Sequence, residues 1–119
     1  MTAAVVRKSQ TGLVPHPNEL DRKRIERALI TRNRYRYVMP NVKPVRSGYL
    51  VESPCCSHNI DKGGGLIDIA LVQYDVVSEV WKLFFKNHVR ESWEFYSIFQ
   101  RLTSAIDELN ADPERLFWQ

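Results

Sequence analysis

The stretch Leu66-Ile-Asp-Ile-Ala-Leu-Val-Gln-Tyr-Asp-Val-Val-Ser-Glu-Val-Trp-Lys-Leu-Phe-Phe-Lys-Asn-His-Val-Arg-Glu-Ser-Trp-Glu-Phe-Tyr96 decides how this chain folds. Across residues 66–74, Ile67, Ile69 and Leu71 fall on one side and Asp68 on the other, the two-residue period of a half-buried strand. Asp75 marks a tight turn. Residues 76–86 then alternate again, with Val77, Trp81, Leu83 and Phe85 against Ser78, Lys82, Phe84 and Lys86. Asn87-His88 turns the chain once more, and residues 91–96 put Trp93 and Phe95 on the apolar side of a further strand. Strands joined by turns this short predict an antiparallel meander.

Upstream, Gly48-Tyr-Leu-Val-Glu52 reads as a strand with Tyr49 and Val51 facing one way and Leu50 and Glu52 the other. Arg34-Tyr-Arg-Tyr-Val38 alternates basic and aromatic residues and predicts the first strand. Pro40 and Pro44 mark an irregular connection between these two, because proline cannot donate to a ladder. Residues 53–65, rich in turn formers, form a long loop. A helix precedes the strands. Asn18 is its N-cap with Asp21 three residues on, Ile25, Ala28 and Leu29 face inward, and it ends near Asn33. Gly12, Pro15 and Pro17 punctuate residues 1–17, which read as a flexible arm.

Downstream, Ser97-Ile-Phe-Gln100 has the form of a capping box and predicts the start of a second helix. Ile98, Leu102, Ala105, Ile106 and Leu109 form its apolar stripe, and Asn110 and Pro113 end it. Phe117 and Trp118 would each forgo roughly 1.5–3 kcal/mol of burial if left in water, so both are expected to dock. The whole is an α+β domain over residues 18–119: a twisted antiparallel sheet of about five strands, with an N-terminal and a C-terminal helix packed on one face.

A chain of 119 residues suits one core, and 44% hydrophobic with 26% charged residues excludes wholesale disorder and a coiled-coil rod. No apolar run reaches the roughly 18–20 residues of a membrane span. The net charge of +3 hides a split: residues 1–46 carry +8 and residues 47–119 carry −5. The two cysteines, Cys55 and Cys56, are adjacent and supply no disulfide framework. The opening residues hold no secretory apolar segment, so a cytoplasmic setting is expected.

Several short blocks resemble, in their order, a small bacterial domain family of unknown function. They are Arg24-Ile-Glu-Arg-Ala-Leu29, Arg34-Tyr-Arg-Tyr37 with Pro40, Asn59-Ile-Asp61, the glycines at 63–65, Ile67-Asp-Ile-Ala70, Trp81-Lys-Leu83, Asp112-Pro113 and Phe117-Trp118. The resemblance spans about residues 18–119. It implies a compact bacterial domain and carries no activity with it.

The strongest functional lead is the basic segment 22–36, where Arg22, Lys23, Arg24, Arg27, Arg32, Arg34 and Arg36 stand against a single acid. Cations beside tyrosines suit a nucleic-acid backbone. Alternation sets Arg34 and Arg36 opposite Tyr35 and Tyr37, which weakens a mixed surface. Pairing of the arginines with Asp68, Glu79 or Glu94 is the plainer reading. Cys55, Cys56 and His58 include zinc-ligand types, but adjacent cysteines with distant His16 and His88 make a poor four-ligand set. No acid or oxyanion device accompanies a Cys-His pair. Gly63-Gly64-Gly65 precedes a strand rather than a helix, which argues against a phosphate loop. Asp61, Asp68 and Asp75 do not converge on extended chain, and Asp107, Glu108, Asp112 and Glu114 read as a solvated acidic end. The expectation is a non-enzymatic accessory module without a cofactor or a membrane. Its partner would be a protein or a second copy, and the alternative is nucleic-acid binding through residues 22–36.

Overall fold

The computed structural model describes residues 16–31, 39–54 and 65–118. Helix α1 (Glu19–Leu29) is followed by strands β1 (Asn41–Val45), β2 (Gly48–Pro54), β3 (Leu66–Asp75), β4 (Val80–Asn87) and β5 (Ser92–Phe99), and then by helix α2 (Leu102–Ala111). The strands pair antiparallel in the order β1-β2-β3-β4-β5, the predicted meander. Ile25 and Leu29 of α1, Ile106 and Leu109 of α2, and Phe117 and Trp118 of the tail join Val42, Tyr49, Val51, Val72, Trp81 and Leu83 in one buried cluster. Both helices and the tail therefore cover the same face of the sheet.

Local chemistry sets most boundaries. Asn18 Oδ1 accepts from the Asp21 N–H at 2.8 Å and caps α1 as its sequence predicts. Asp75 and Asn87 act alike at the two strand turns. The Asp75 carboxylate accepts from the N–H groups of Val77 and Ser78, and Asn87 Oδ1 accepts from those of Val89 and Arg90. Between β1 and β2 the chain turns through Arg46 and Ser47. Gly48 then passes so close to β3 that a β-carbon there would sit 1.9 Å from the Val72 carbonyl oxygen.

Three sequence-based expectations differ from this structure, and one lies outside the described residues. The strand predicted at Arg34–Val38 lies outside the described residues, and the proline-marked connection is itself strand β1. Pro44 is tolerated there because β1 is the outermost of the described strands, and an edge strand can hold a proline whose missing N–H faces away from the ladder. The fourth strand begins at Val80 rather than at Val76, and Val77 is 93% exposed in the turn. The Ser97–Gln100 box opens no helix. Ser97, Ile98 and Phe99 continue the ladder opposite Leu83, Lys82 and Trp81, and those pairings override the local capping preference. Helix α2 starts at Leu102 after Arg101, which supplies no side-chain cap.

Two β-bulges account for further differences. One adds Ile69 to β3 between the pairs Val51–Ala70 and Glu52–Asp68. The core phase thus shifts from Ile67 and Ile69 to Ala70, Val72 and Tyr74, and Leu71 moves to the opposite face. The other adds Tyr96 to β5 between the pairs Leu83–Ser97 and Phe84–Phe95. It puts Phe99 on the core side and Ile98 on the helix-free side, where Trp93 and Phe95, ahead of the bulge, also stand instead of facing the core; Phe95 is 56% exposed.

Asp112, read from sequence as part of a solvated acidic end, is 1% exposed. It ends α2 in the left-handed conformation, with φ of 42°. Its carboxyl oxygens accept from the N–H groups of Leu116 at 2.8 Å, Phe117 at 3.2 Å and Trp118 at 2.9 Å. The tail is folded back by these bonds, and Trp118 Nε1–H donates to the Leu109 carbonyl at 2.9 Å. We expect Asp112→Ala to lower unfolding free energy by about 3 kcal/mol, because it strands buried donors. Asp112→Asn, which keeps one acceptor and tolerates the left-handed backbone, should cost less. Denaturant unfolding monitored by tryptophan fluorescence checks both.

Candidate interaction surface

The face of the sheet opposite the helices follows from the strand register. Leu50, Leu71, Phe84 and Phe95 stand directly opposite one another on β2, β3, β4 and β5 and form a continuous apolar row. Phe84 and Phe95 meet edge to face with ring centroids 5.8 Å apart. On one side of this row run Gly48, Gln73, Lys82 and Ile98. On the other side run Glu52 with Asp68 and, two strands on, Lys86 with Trp93. Phe95 and Ile98 are 56% and 53% exposed. Among the described residues, no helix or strand covers this face.

The charges beside the row are paired. Lys86 Nζ lies 3.2 Å from Asp68 Oδ2 and 5.0 Å from the centre of the Trp93 ring. Lys82 Nζ lies 3.3 Å from Asp75 Oδ2. The Asp75 carboxyl is held below its ordinary range, first by the Ser78 N–H and then by Lys82 and the Val77 N–H. An apolar strip flanked by neutralised charge has the layout of a protein interface, with an apolar centre and a polar rim.

The basic segment looks different in three dimensions. Arg22 is engaged by Glu19 at 2.6 Å and Glu26 at 2.8 Å, and it donates to the Val42 carbonyl at 3.2 Å. Arg24 pairs with Asp21 at 3.1 Å. Lys23 and Arg27 are exposed on α1. Arg32, Arg34 and Arg36 lie outside the described residues. Of the acids expected to meet the strand arginines, Asp68 is held by Lys86, and Glu94 accepts from Asn87 Nδ2 at 2.6 Å.

Cys55, Cys56, His58, Asp61, Gly63 and Gly64 also lie outside the described residues. Among the described residues, no group of His, Cys, Asp or Glu side chains could hold a metal, and no helix is long and apolar enough to cross a membrane.

Three features escaped the sequence reading. The first is a box around His16, whose ring lies 4.4 Å from Trp81, 5.2 Å from Tyr74 and 6.0 Å from Tyr49 between centroids. The Tyr49 hydroxyl accepts from the Asn18 N–H at 3.1 Å and shares a hydrogen bond with His16 Nδ1 at 3.0 Å, whose direction follows the imidazole tautomer. Asn18 Nδ2 also points at that nitrogen, and Asp21 Oδ2 lies 3.4 Å from it. The arrangement fastens the chain before α1 to the sheet. The second is a groove of about 370 Å³ between the helices, floored by Ile25, Ala28, Leu102 and Ile106, with two arginines and two aspartates at its rim. The third is an open hollow of about 570 Å³ beside β5, lined by Phe85, Phe99, Leu116, Tyr96, Glu108 and Glu114 among others. There the Tyr96 hydroxyl donates to Glu108, and this bond, with burial and the neighbouring carboxylates, pushes the phenol up to about 12. Single positions in β5 or α2 give no sign of it, because residues from distant segments build it.

A family model described as a domain of unknown function (DUF3024) matches residues 13–119. No curated protein and no solved structure matches the chain.

Burial lowers the His16 pKa, with Asp21 opposing, and burial and Lys86 lower that of His88, with Asp68 opposing. The folded state thus favours the neutral imidazoles. As pH falls through the ordinary histidine value near 6.5, the unfolded chain takes up protons first and stability declines. We expect the denaturation midpoint to drop between about pH 7.5 and 5.5. The drop should shrink in His16→Gln and shrink further in the His16→Gln/His88→Gln double variant, measured by urea titration at each pH.

Proposed function

The chain belongs to this family of domains of unknown function, and from that premise we propose that it is a non-enzymatic protein-interaction module, docking an apolar patch of a partner protein on the open face of its sheet. The observation that carries this reading is the row Leu50–Leu71–Phe84–Phe95, with Phe95 and Ile98 more than half exposed. Covering a large apolar side chain contributes about 1.5–3 kcal/mol when complete, so an uncovered pair of this kind favours a partner. Lys82 and Lys86 are matched by Asp75 and Asp68, which disfavours a polyanion on this face. A reducing cytoplasm, where Cys55 and Cys56 stay as thiols, fits the same reading.

Nucleic-acid binding is the second reading, supported by the exposed Lys23 and Arg27. It is weakened by the engagement of Arg22 and Arg24 within α1. A photo-crosslinking side chain at position 98 should give discrete protein adducts in cells, and one at exposed Asp107 on α2 should not. Matching adduct patterns at the two positions, or none at position 98, would overturn the proposal. Fluorescence anisotropy with generic RNA and duplex DNA tests the alternative. Salt-steep binding that weakens in the Arg24→Ala, Arg27→Ala, Arg36→Ala variant would establish it instead.

A further inference from the structure

The two edges of the sheet are built differently. β1 is five residues long and exposes Lys43 and Pro44, the usual devices that keep an edge from pairing. β5 is eight residues long, Ser-Trp-Glu-Phe-Tyr-Ser-Ile-Phe, with no Lys, Arg or Pro. Its one acid, Glu94, is tied to Asn87. Among the described residues β5 pairs only with β4, so its outer backbone groups face away from the ladder.

The two sides of that edge also differ. Phe95 and Ile98 flank it on the helix-free side. The hollow of about 570 Å³ opens toward the helix side, where Glu108 and Glu114 sit beside Tyr96 and Phe99, and it reaches Phe95 at the edge. The bulge turns Tyr96 and Ser97 toward this side in succession, where a regular strand would present one residue, and both line the hollow. No ion pair within the described residues involves Glu108 or Glu114. Carboxylates among aromatic rings are the surroundings that a Lys or Arg side chain seeks.

An added strand sends alternate side chains to opposite faces. We propose that the β5 edge accepts an extended peptide segment of a partner protein that alternates cationic and apolar side chains. Its main chain extends the sheet, its apolar residues lie against Phe95 and Ile98, and its cations enter the Glu108–Glu114 hollow. This is strand addition, in which backbone bonds give affinity and the flanking pockets give specificity. The proposal rests on the reading of the domain as a protein-interaction module and names the chemistry of what it binds.

The probe is an acetylated, amidated peptide Asn-Arg-Tyr-Arg-Tyr-Val-Met, the sequence of residues 33–39 of this chain, which has the required alternation. It is compared with a version carrying Glu for both Arg and with a shuffled version that groups Arg with Arg and Tyr with Tyr. Binding to the full chain is followed by calorimetry and by amide shifts in isotope-labelled protein. The alternating peptide should bind saturably, with shifts concentrated between Trp93 and Phe99, and both comparison peptides should bind about tenfold more weakly or not at all. Glu108→Gln/Glu114→Gln should weaken the alternating peptide severalfold with little change in melting temperature, and Ile98→Lys should weaken it independently.

Equal binding of the alternating and shuffled peptides, shifts away from β5, or no saturable binding would overturn the proposal. Position-98 adducts together with an absence of peptide binding would sink strand addition and leave the interaction module standing. Peptide binding at β5 without adducts would support strand addition and count against docking on the open face.

Discussion

The carboxyl of Asp112 holds the closing tail in place, and the layering of the domain depends on that tail. A buried carboxyl with three backbone donors around it cannot move without stranding polar groups, so the residues after α2 fold back instead of trailing into water. Phe117 and Trp118 then fill the space under the helices beside Tyr96, Leu83 and Leu109. With two helices and this tail against one face, the apolar supply of the sequence is concentrated there. The opposite face keeps its Leu50, Leu71, Phe84 and Phe95 row without a layer among the described residues to cover it. The candidate surface is thus a consequence of how the core is closed.

The charge split along the chain changes meaning once the contacts are known. The basic excess of α1 is partly neutralised within the helix itself, as Glu19, Asp21 and Glu26 meet Arg22 and Arg24 at helical spacing. Such exposed pairs add little stability, but they change what the surface offers to a polyanion. The acidic half is divided as well. Asp68 and Asp75 serve lysines on the open face, Asp112 serves the backbone, and Glu108 and Glu114 stand in the hollow beside β5. Formal charge per segment could not distinguish these roles, because each depends on a neighbour from another strand or helix.

Legibility followed the range of the interaction concerned. The Asn18 cap and the turns at Asp75 and Asn87 were readable because their partners lie within a few residues, and the inward Ile25 and Leu29 because helical spacing puts them on one face. The Ser97–Gln100 box was readable too, and it misled. Its local preference is real but weaker than a ladder that pairs Ser97 with Leu83 and Phe99 with Trp81. The alternation of β3 and β5 was visible, yet an extra residue at Ile69 reversed the phase of β3 and sent Leu71 to the open side, and one at Tyr96 sent Ile98 there and turned Phe99 to the core side. No local pattern marks where a bulge will fall, since it answers the twist and packing of the strand beside it.

The sequence by itself determined the α+β class, the antiparallel meander, both helices and the docking of Phe117 and Trp118, because periodicity, turn chemistry and the cost of exposing large rings act through near neighbours. Only the tertiary structure decided which sheet face was left open and which carboxyl was buried. It also decided that His16 would sit among Tyr49, Tyr74 and Trp81, and that an acidic, aromatic hollow would lie beside an unblunted edge strand. Those outcomes belong to contacts between residues dozens of positions apart, and such contacts exist only once the register, the bulges and the fold of the tail have fixed which side chains share a space.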